Sequence, residues 1–402
     1  MSERPRQQGS TQTFDVLIVG GGIVGLTLAS ELAGSDFSVA VVERQPPRPV
    51  SDTPECRVSA INRFAITQYR QCGVWQHPLA ERAGAFEKMT VWDHQGAGQI
   101  HFDSAELGLP ALGVIIENNV LVQMLFDAVA KADNISLLCP EEITQINYPV
   151  DDSDLPSVSL ASGDAISAQL LVGADGVNSR VREAAMIERS RKSYQQQALV
   201  CNVTTRESHE NTAWQCFLPS GPLAFLPMFN GESSIVWSLD NALAEEKMAL
   251  SEEAFMVDLA EAFEYRLGEI ETVSQRFLFP LTHGHARDYV KPRLALIGDA
   301  AHNIHPLAGQ GANLGIADAA ALAEVIKQAR AKGRDWSAVH SLKKYQRQRK
   351  GANQLMELSM TGFKELFGND NALLAEIRNA GLSLVDHLPA LKYRMIKQAL
   401  EG

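Results

Sequence analysis

Apolar and polar positions follow two rhythms along this chain. In the first, a short, continuously apolar run ends on a glycine-bearing turn and then a helical pattern, and this happens three times. Phe14 to Val19 (FDVLIV) runs into Gly20-Gly21-Gly22-Ile23-Val24-Gly25 and a helix-compatible stretch from Leu26 to Leu32. Leu170 to Val172 gives way to Gly173-Ala174-Asp175-Gly176, after which Ser179, Arg180 and Arg182 open a helix. Leu294 to Ile297 precedes GDAAHNIHPLAGQGANLGIAD (298–318) and an alanine-rich helix from Ala317 to Lys332. Short runs that are apolar throughout suit strands buried on both faces, as in a parallel sheet covered by helices. Ligands of such sheets collect at the carboxyl ends of the strands, so the three turns are expected along one sheet edge.

The second rhythm is alternation. Residues 86–93 and 99–102 alternate, and strand-like runs recur at 197–204, 213–218, 223–229 and 233–239, which predicts an antiparallel sheet. Trp214, Phe225, Pro227 and Trp237 on these runs either line a pocket or fill the core between sheet and helix. Helical patterns cover 60–72, 119–132, 251–268 and 335–361, and a strand over 274–281 leads back towards the first sheet. The acidic run at 151–154 reads as a solvated hairpin tip, not a metal site. Near the end, Leu384, Leu388, Leu391 and Met395 recur at helical spacing with Lys392, Arg394 and Lys397 between them. That segment either packs on the body or docks on a partner or a membrane surface.

The first turn carries the most specific chemistry. Gly20, Gly22 and Gly25 form a G-x-G-x-x-G between a strand and a helix, and a second strand, Ser38 to Val42, ends at Glu43. Gly20 makes the tight turn, Gly22 lets a pyrophosphate reach the helix start, and Gly25 lets helix and strand pack closely. Glu43 then accepts hydrogen bonds from a ribose hydroxyl pair. An acid there repels a 2′-phosphate, so the site suits the adenosine of FAD or NAD, not of NADP. In the third turn, Gly309 and Gly311 around Gln310 let the backbone approach a flat or anionic ligand. The helix start that follows offers unpaired N–H groups to it.

Bulk properties narrow the class. A chain of 402 residues with a net charge of −12 and a pI near 5.4 lacks the basic stripe that nucleic acid requires. Five cysteines without a C-x-x-C pair read as reduced thiols of a cytoplasmic protein. The polar stretch 1–13 reads as a disordered tail, and no apolar run is long enough to span a membrane. No G-x-S-x-G, H-E-x-x-H or clustered metal ligands occur, so no metal is expected and the chemistry belongs to a cofactor.

Taken together, GGGIVG (20–25), GADGVNSRVR (173–182) and the 298–318 stretch resemble the three FAD motifs of the single-component aromatic flavoprotein monooxygenases. Arg57 to Ile61 (RVSAI), Ile116-Glu117-Asn118, Ala224 to Pro227 (AFLP) and Tyr345 to Arg349 (YQRQR) narrow the resemblance to the FAD-dependent ubiquinone-biosynthesis ring hydroxylases. Residues 102–113 and 213–227 look most like the 2-polyprenyl-3-methyl-6-methoxy-1,4-benzoquinol hydroxylases among them. The resemblance covers the chain from Phe14 to its end.

It implies an α/β fold: a Rossmann-like FAD-binding domain of the glutathione-reductase type (14–85, 114–182 and 282–330). It also implies an inserted antiparallel β-sheet substrate domain (86–113 and 183–281) and a C-terminal helical segment (331–402). The implied activity is NAD(P)H- and O2-dependent hydroxylation of a polyprenyl phenol or quinol through a flavin C4a-hydroperoxide. In such proteins Arg57, Asp175 and a side chain at Val122 or Gln123 contact FAD. Gly298 and Asp299 meet the ribityl chain, and the backbone near Gly311, Ala312 and Asn313 faces the ring where negative charge develops. Pro306 packs beside the ring and shapes the oxygen site. His302 and His305 are either general bases or structural hydrogen-bonders of the flavin loop. A lipid-tailed substrate implies contact with the inner face of the membrane or with other ubiquinone-biosynthesis proteins, and a homo-oligomer is compatible. Other flavin chemistries on this fold, a prenyl-lipid reductase or a halogenase, share the motifs, as does a flavin-bearing scaffold without turnover.

Overall fold

The computed structural model describes residues 11–94, 98–149, 154–303 and 311–367, with side chains except at 191–194 and 357–367. Its first sheet is the parallel one. Thr11–Val19 lies at the centre, paired in parallel with Val39–Val42 on one side and Ala165–Gly173 on the other. Ile135–Leu138 and Leu294–Leu296 extend the parallel order outward. The central positions Leu17, Ile18, Leu171 and Val172 are wholly buried, as expected of strands covered on both faces. An antiparallel hairpin, Ile143–Asn147 and Ser157–Leu160, flanks this sheet.

Register explains why the three turns meet. Val19 pairs with Gly173, and Gly173 with Leu296, so the three strands end level. The first residues beyond them are stitched together: Ala174 N–H donates to Val19 O, and Ile297 N–H to Gly173 O. The polar stretch expected to be a tail over 1–13 gives way at Thr11. Thr11, Gln12 and Thr13 open the first strand because Ala165, Ile166 and Ser167 pair with them.

The second sheet has nine strands among the described residues, centred on Arg189–Thr205. It is antiparallel except at one junction, where Thr212–Leu218 runs parallel to Lys88–Asp93. Phe277–Ala286 stays in this sheet along its whole length, pairing with Arg189–Val200. A third, three-stranded sheet joins Val58–Asn62, Gly113–Glu117 and Gly84–Phe86.

That third sheet corrects the helix expected over 60–72. Val58–Asn62 is a strand, held by Gly113–Glu117, and the helix is Arg63–Gln71. Asn62 makes the boundary, since its side chain accepts Ala65 N–H and caps the helix. Among the described residues no helix is long and apolar enough to cross a membrane.

Candidate functional site

A cavity of about 590 Å³ lies where the three strand ends face the inner side of the nine-stranded sheet. One wall is backbone-rich: Gly22, Ala174, Gly176, Gly298, Gly311 and Ala312. The opposite wall is apolar, with Ala198, Val200, Val236, Phe279 and Leu281. This size and lining are those of a small-molecule site.

The glycines of the first turn divide into two kinds. Gly20 has φ +107°, and a Cβ there would meet Ala174 O at 2.5 Å, while one on Gly25 would lie 1.9 Å from Gly20 O. These two hold protein against protein. Gly22 is different: a Cβ built on it meets nothing within 4 Å, and the helix it starts, Ile23–Leu32, has no side-chain cap. Its first N–H groups therefore open on the cavity. Among the described residues, a Cβ on Gly311 likewise meets nothing within 4 Å at the start of the helix Gly311–Ala331. Glu43 stands at the end of Val39–Val42 with one oxygen accepting Gly21 N–H at 2.7 Å and the other Gln45 N–H at 2.9 Å.

At the second turn, Asp175 Oδ2 accepts N–H from Arg180 at 2.7 Å and Val181 at 3.2 Å. Its Oδ1 is buried without a partner between cavity-lining Ala174 and Gly176. Burial pushes the Asp175 carboxyl up, and its hydrogen bonds offset part of the rise. Asp299, in the third turn, lines the cavity with its side chain accessible. Burial within the protein raises its carboxyl above the ordinary aspartate value, against the pull of His302, Arg189 and Arg57. Arg57 lines the same cavity with its guanidinium 5.0 Å from the Phe279 ring centroid.

One expected site residue stands elsewhere. Gln123 does not line the cavity; its amide donates to Asp127 on its own helix at 2.8 Å. Asn118, at the start of that helix, lines the cavity instead and accepts from Ser59 Oγ at 2.7 Å. The Asn313 side chain points away, donating to Ala60 O at 2.7 Å and accepting Asn62 N–H at 3.0 Å. His305, Pro306 and Gly309 lie outside the described residues, as do Gln310 and the segment 382–402.

The residues around this cavity include those of FAD motifs, and the FAD binding domain family matches residues 13–358. Over 393 residues the chain is 37% identical to the 3-demethoxyubiquinol 3-hydroxylase of Escherichia coli (strain K12), covering 97% of this chain and 99% of that protein. The chain belongs to the FAD-dependent ubiquinone-biosynthesis hydroxylase family. It is also 36% identical over 397 residues to the ubiquinone hydroxylase UbiL of Rhodospirillum rubrum, covering 98% of this chain and 91% of that one. To the mitochondrial ubiquinone biosynthesis monooxygenase COQ6 of Homo sapiens it is 33% identical over 435 residues, with 96% and 92% covered. Solved structures share the fold. The p-nitrophenol 4-monooxygenase PnpA of Pseudomonas putida superposes with a TM-score of 0.77 at 19% identity, over 97% of this chain and 99% of that one. PqsL of Pseudomonas aeruginosa gives 0.76 at 22% identity, over 92% and 100%.

As a member of this family the chain is an FAD-dependent monooxygenase, and two further features of its site escaped the sequence. The first is a pair of arginines that lock the second and third turns together. Arg182 donates to Ala300 O at 2.9 Å and Val177 O at 3.1 Å; Arg189 donates to Val177 O and to Asn303 Oδ1. The second is the set of partners held by His302. This histidine lines the cavity yet is only 3% exposed, and its Nε2 lies 2.5 Å from Oδ2 of fully buried Asp318.

The aromatic candidates for the pocket resolve to core. Trp214, Phe225 and Trp237 pack on the outer face of the sheet, with Phe255, Leu259 and Phe263. Pro227 is not among the cavity-lining residues.

Proposed function

We propose that this protein hydroxylates the aromatic ring of a polyprenyl phenol or benzoquinol intermediate of ubiquinone biosynthesis, using O2 and NAD(P)H. The observation that carries the reading is the two-sided cavity: a backbone-rich wall of FAD-motif turns faces an apolar sheet wall across one cleft. The family relatives whose names specify ubiquinone hydroxylation support the choice of substrate class.

The residues fit FAD. Gly22 and Gly311 leave room at two helix starts where a side chain would fill the approach. Gly20 and Gly25 shape the turn for the pyrophosphate, and Glu43 is assigned the ribose hydroxyls. Arg57 and Asp175 hold the middle of the cofactor, and Gly298 with Asp299 the ribityl chain. Backbone N–H groups at Gly311, Ala312 and Asn313 are assigned the ring edge, where negative charge develops on reduction. Gln123 keeps its place as a helix residue and has no cofactor role in this reading. Pro306, His305 and Gly309, assigned to the reacting end of the cofactor by the family resemblance, lie outside the described residues. FAD held by these residues would supply two-electron redox chemistry with a nicotinamide and the activation of O2.

The chain's own contribution is position and exclusion of water. Val200, Val236 and Leu281 present an apolar surface that orients a hydrophobic ring and sheds solvent from the reacting edge. No side chain is needed to activate so electron-rich a substrate. His302, saturated at Nε2 by Asp318, is assigned a structural role instead of that of a general base. A lipid-tailed substrate places the work at the inner face of the membrane, from a cytoplasmic protein. The domain boundaries proposed are 14–85, 114–182 and 282–330 for FAD, 86–113 and 183–281 for substrate, and 331–402 for the helical segment.

Expression in strains lacking each ring hydroxylase of ubiquinone biosynthesis tests the proposal. One accumulated phenol or quinol should disappear and its hydroxylated product appear. A product that is instead reduced or halogenated, or no change in any strain, would overturn it.

A further inference from the structure

One carboxylate beneath the cavity collects more donors than any local role requires. Asp318 is fully buried on the helix Gly311–Ala331. Its Oδ2 accepts Gly298 N–H at 3.1 Å and meets His302 Nε2 at 2.5 Å. Its Oδ1 accepts from Arg349 Nε at 2.9 Å and Asn353 Nδ2 at 3.2 Å. Burial alone would raise such a carboxyl, yet His302 and Arg349 beside it hold it below the ordinary aspartate value. A charge buried this deeply is retained only with complete pairing.

The partners come from two parts of the chain. Gly298 and His302 belong to the turn that carries Asp299 into the cavity. Arg349 and Asn353 belong to the helix Val339–Phe367, outside the FAD motifs. On that helix Tyr345, Arg349 and Asn353 are spaced four apart and so share one face, and they are 0%, 7% and 0% exposed. Arg349 Nη2 also donates to Asn353 Oδ1 at 3.2 Å, which orients the amide towards Asp318. Tyr345 adds a separate anchor, donating to Leu296 O at 2.7 Å.

We infer that Asp318 and Arg349 are positioning residues for the cofactor end of the cavity. Through them the helix Val339–Phe367 holds the 298–303 turn so that Asp299 faces the cavity, and fixes a proton on Nε2 of His302. The cofactor site is thus completed by a helix that lies beyond the three FAD motifs. A carboxylate accepts only, so the short contact requires the proton on the imidazole side, and Nε2 is turned away from any substrate. This rests on the reading of the cavity as the FAD site.

The test titrates FAD into apoprotein of the wild type, Arg349→Met, Asp318→Asn and Tyr345→Phe, and records 15N spectra of labelled histidine in each apoprotein. Tyr345→Phe removes a bond from the same buried face without touching Asp318. The loss of a charge-assisted hydrogen bond in Arg349→Met or Asp318→Asn should weaken FAD binding about tenfold or more. The same variants should change the His302 resonance, which in the wild type carries the signature of a protonated Nε2. Tyr345→Phe, which loses only the bond to Leu296 O, should leave the His302 resonance at its wild-type position and cost less FAD affinity than either of those two. Wild-type FAD affinity in Arg349→Met, or an unchanged His302 signal there, overturns the inference, and so does an equal loss in Tyr345→Phe. If Asp318→Asn does not fold, Arg349→Met against Tyr345→Phe still decides. Failure of the wild type to bind FAD would instead count against the reading of the cavity itself.

Discussion

Val236 and Trp237 are neighbours on one strand and serve opposite faces of it. Val236 lines the cavity, and Trp237, 3% exposed, is buried against the outer helices. The alternation of a strand makes this inevitable. Two substitutions side by side should therefore have unlike effects. Trp237→Ala should destabilise the fold by about 3–5 kcal/mol, as core truncations of large aromatics do, measured by urea unfolding. Val236→Phe should leave stability and FAD content intact but fill the apolar wall, raising KM for a polyprenyl quinol.

Gly25 and Gly311 make a second contrasting pair. A Cβ at Gly25 would sit 1.9 Å from Gly20 O, whereas one at Gly311 has nothing within 4 Å. Gly25→Ala should disrupt the first turn and lower the melting temperature of the apoprotein. Gly311→Val should melt with the wild-type apoprotein but lose the gain on adding FAD, which at a hundredfold excess over Kd amounts to about 2.7 kcal/mol. Differential scanning fluorimetry with and without FAD reads both.

These contrasts show what the sequence could and could not tell. The three turns were legible because apolar strands, glycines and helix starts obey the backbone, and backbone rules are local. Glu43 was expected from its distance to the first turn, and Asp299 from the family resemblance alone. Which face of the second sheet met the cavity was not legible, because Trp214, Phe225 and Trp237 are as compatible with a core as with a pocket. Residues 60–62 read as the start of a helix because the strand that holds them extended, Gly113–Glu117, lies some fifty residues away. Arg182, Arg189 and Arg349 act through partners brought together only by folding. YQRQR marked Arg349 as a family feature, but nothing local revealed Asp318 as its partner.

Glu117 illustrates such a pairing. Arg82 grips it with two bonds, Nε to Oε2 at 2.8 Å and Nη2 to Oε1 at 3.0 Å, and Glu117 is 1% exposed. Glu55 N–H also donates to it, at 2.7 Å. Arg82→Ala leaves a buried carboxylate unpaired and should cost about 3–5 kcal/mol. Replacing both residues by apolar ones of similar volume should cost less, and equilibrium unfolding of the three variants checks the order.

The thiols give a pH-dependent prediction. Burial pushes Cys201 and Cys72 up to about 12, so neither should react with iodoacetamide in the folded protein at pH 8. Cys56 lines the cavity, and burial raises it as well. The reactive thiolate is the deprotonated form, so alkylation of Cys56 in the apoprotein should accelerate as pH rises, with its midpoint above that of a free cysteine. FAD should slow it. Peptide mass spectrometry reads each site, and equal labelling of Cys56 with and without FAD would place it away from the cofactor.

The central claim is that a ring carbon of a polyprenyl quinol receives an oxygen atom from O2 in this cavity. It is tested by incubating purified holoprotein with NAD(P)H, a short-chain polyprenyl benzoquinol and oxygen-18 gas, then weighing the product. The account predicts a hydroxylated ring carrying one labelled oxygen, formed in proportion to nicotinamide consumed. Unaltered quinol with all the reducing equivalents recovered as peroxide, or a product changed only in its prenyl chain, would contradict it.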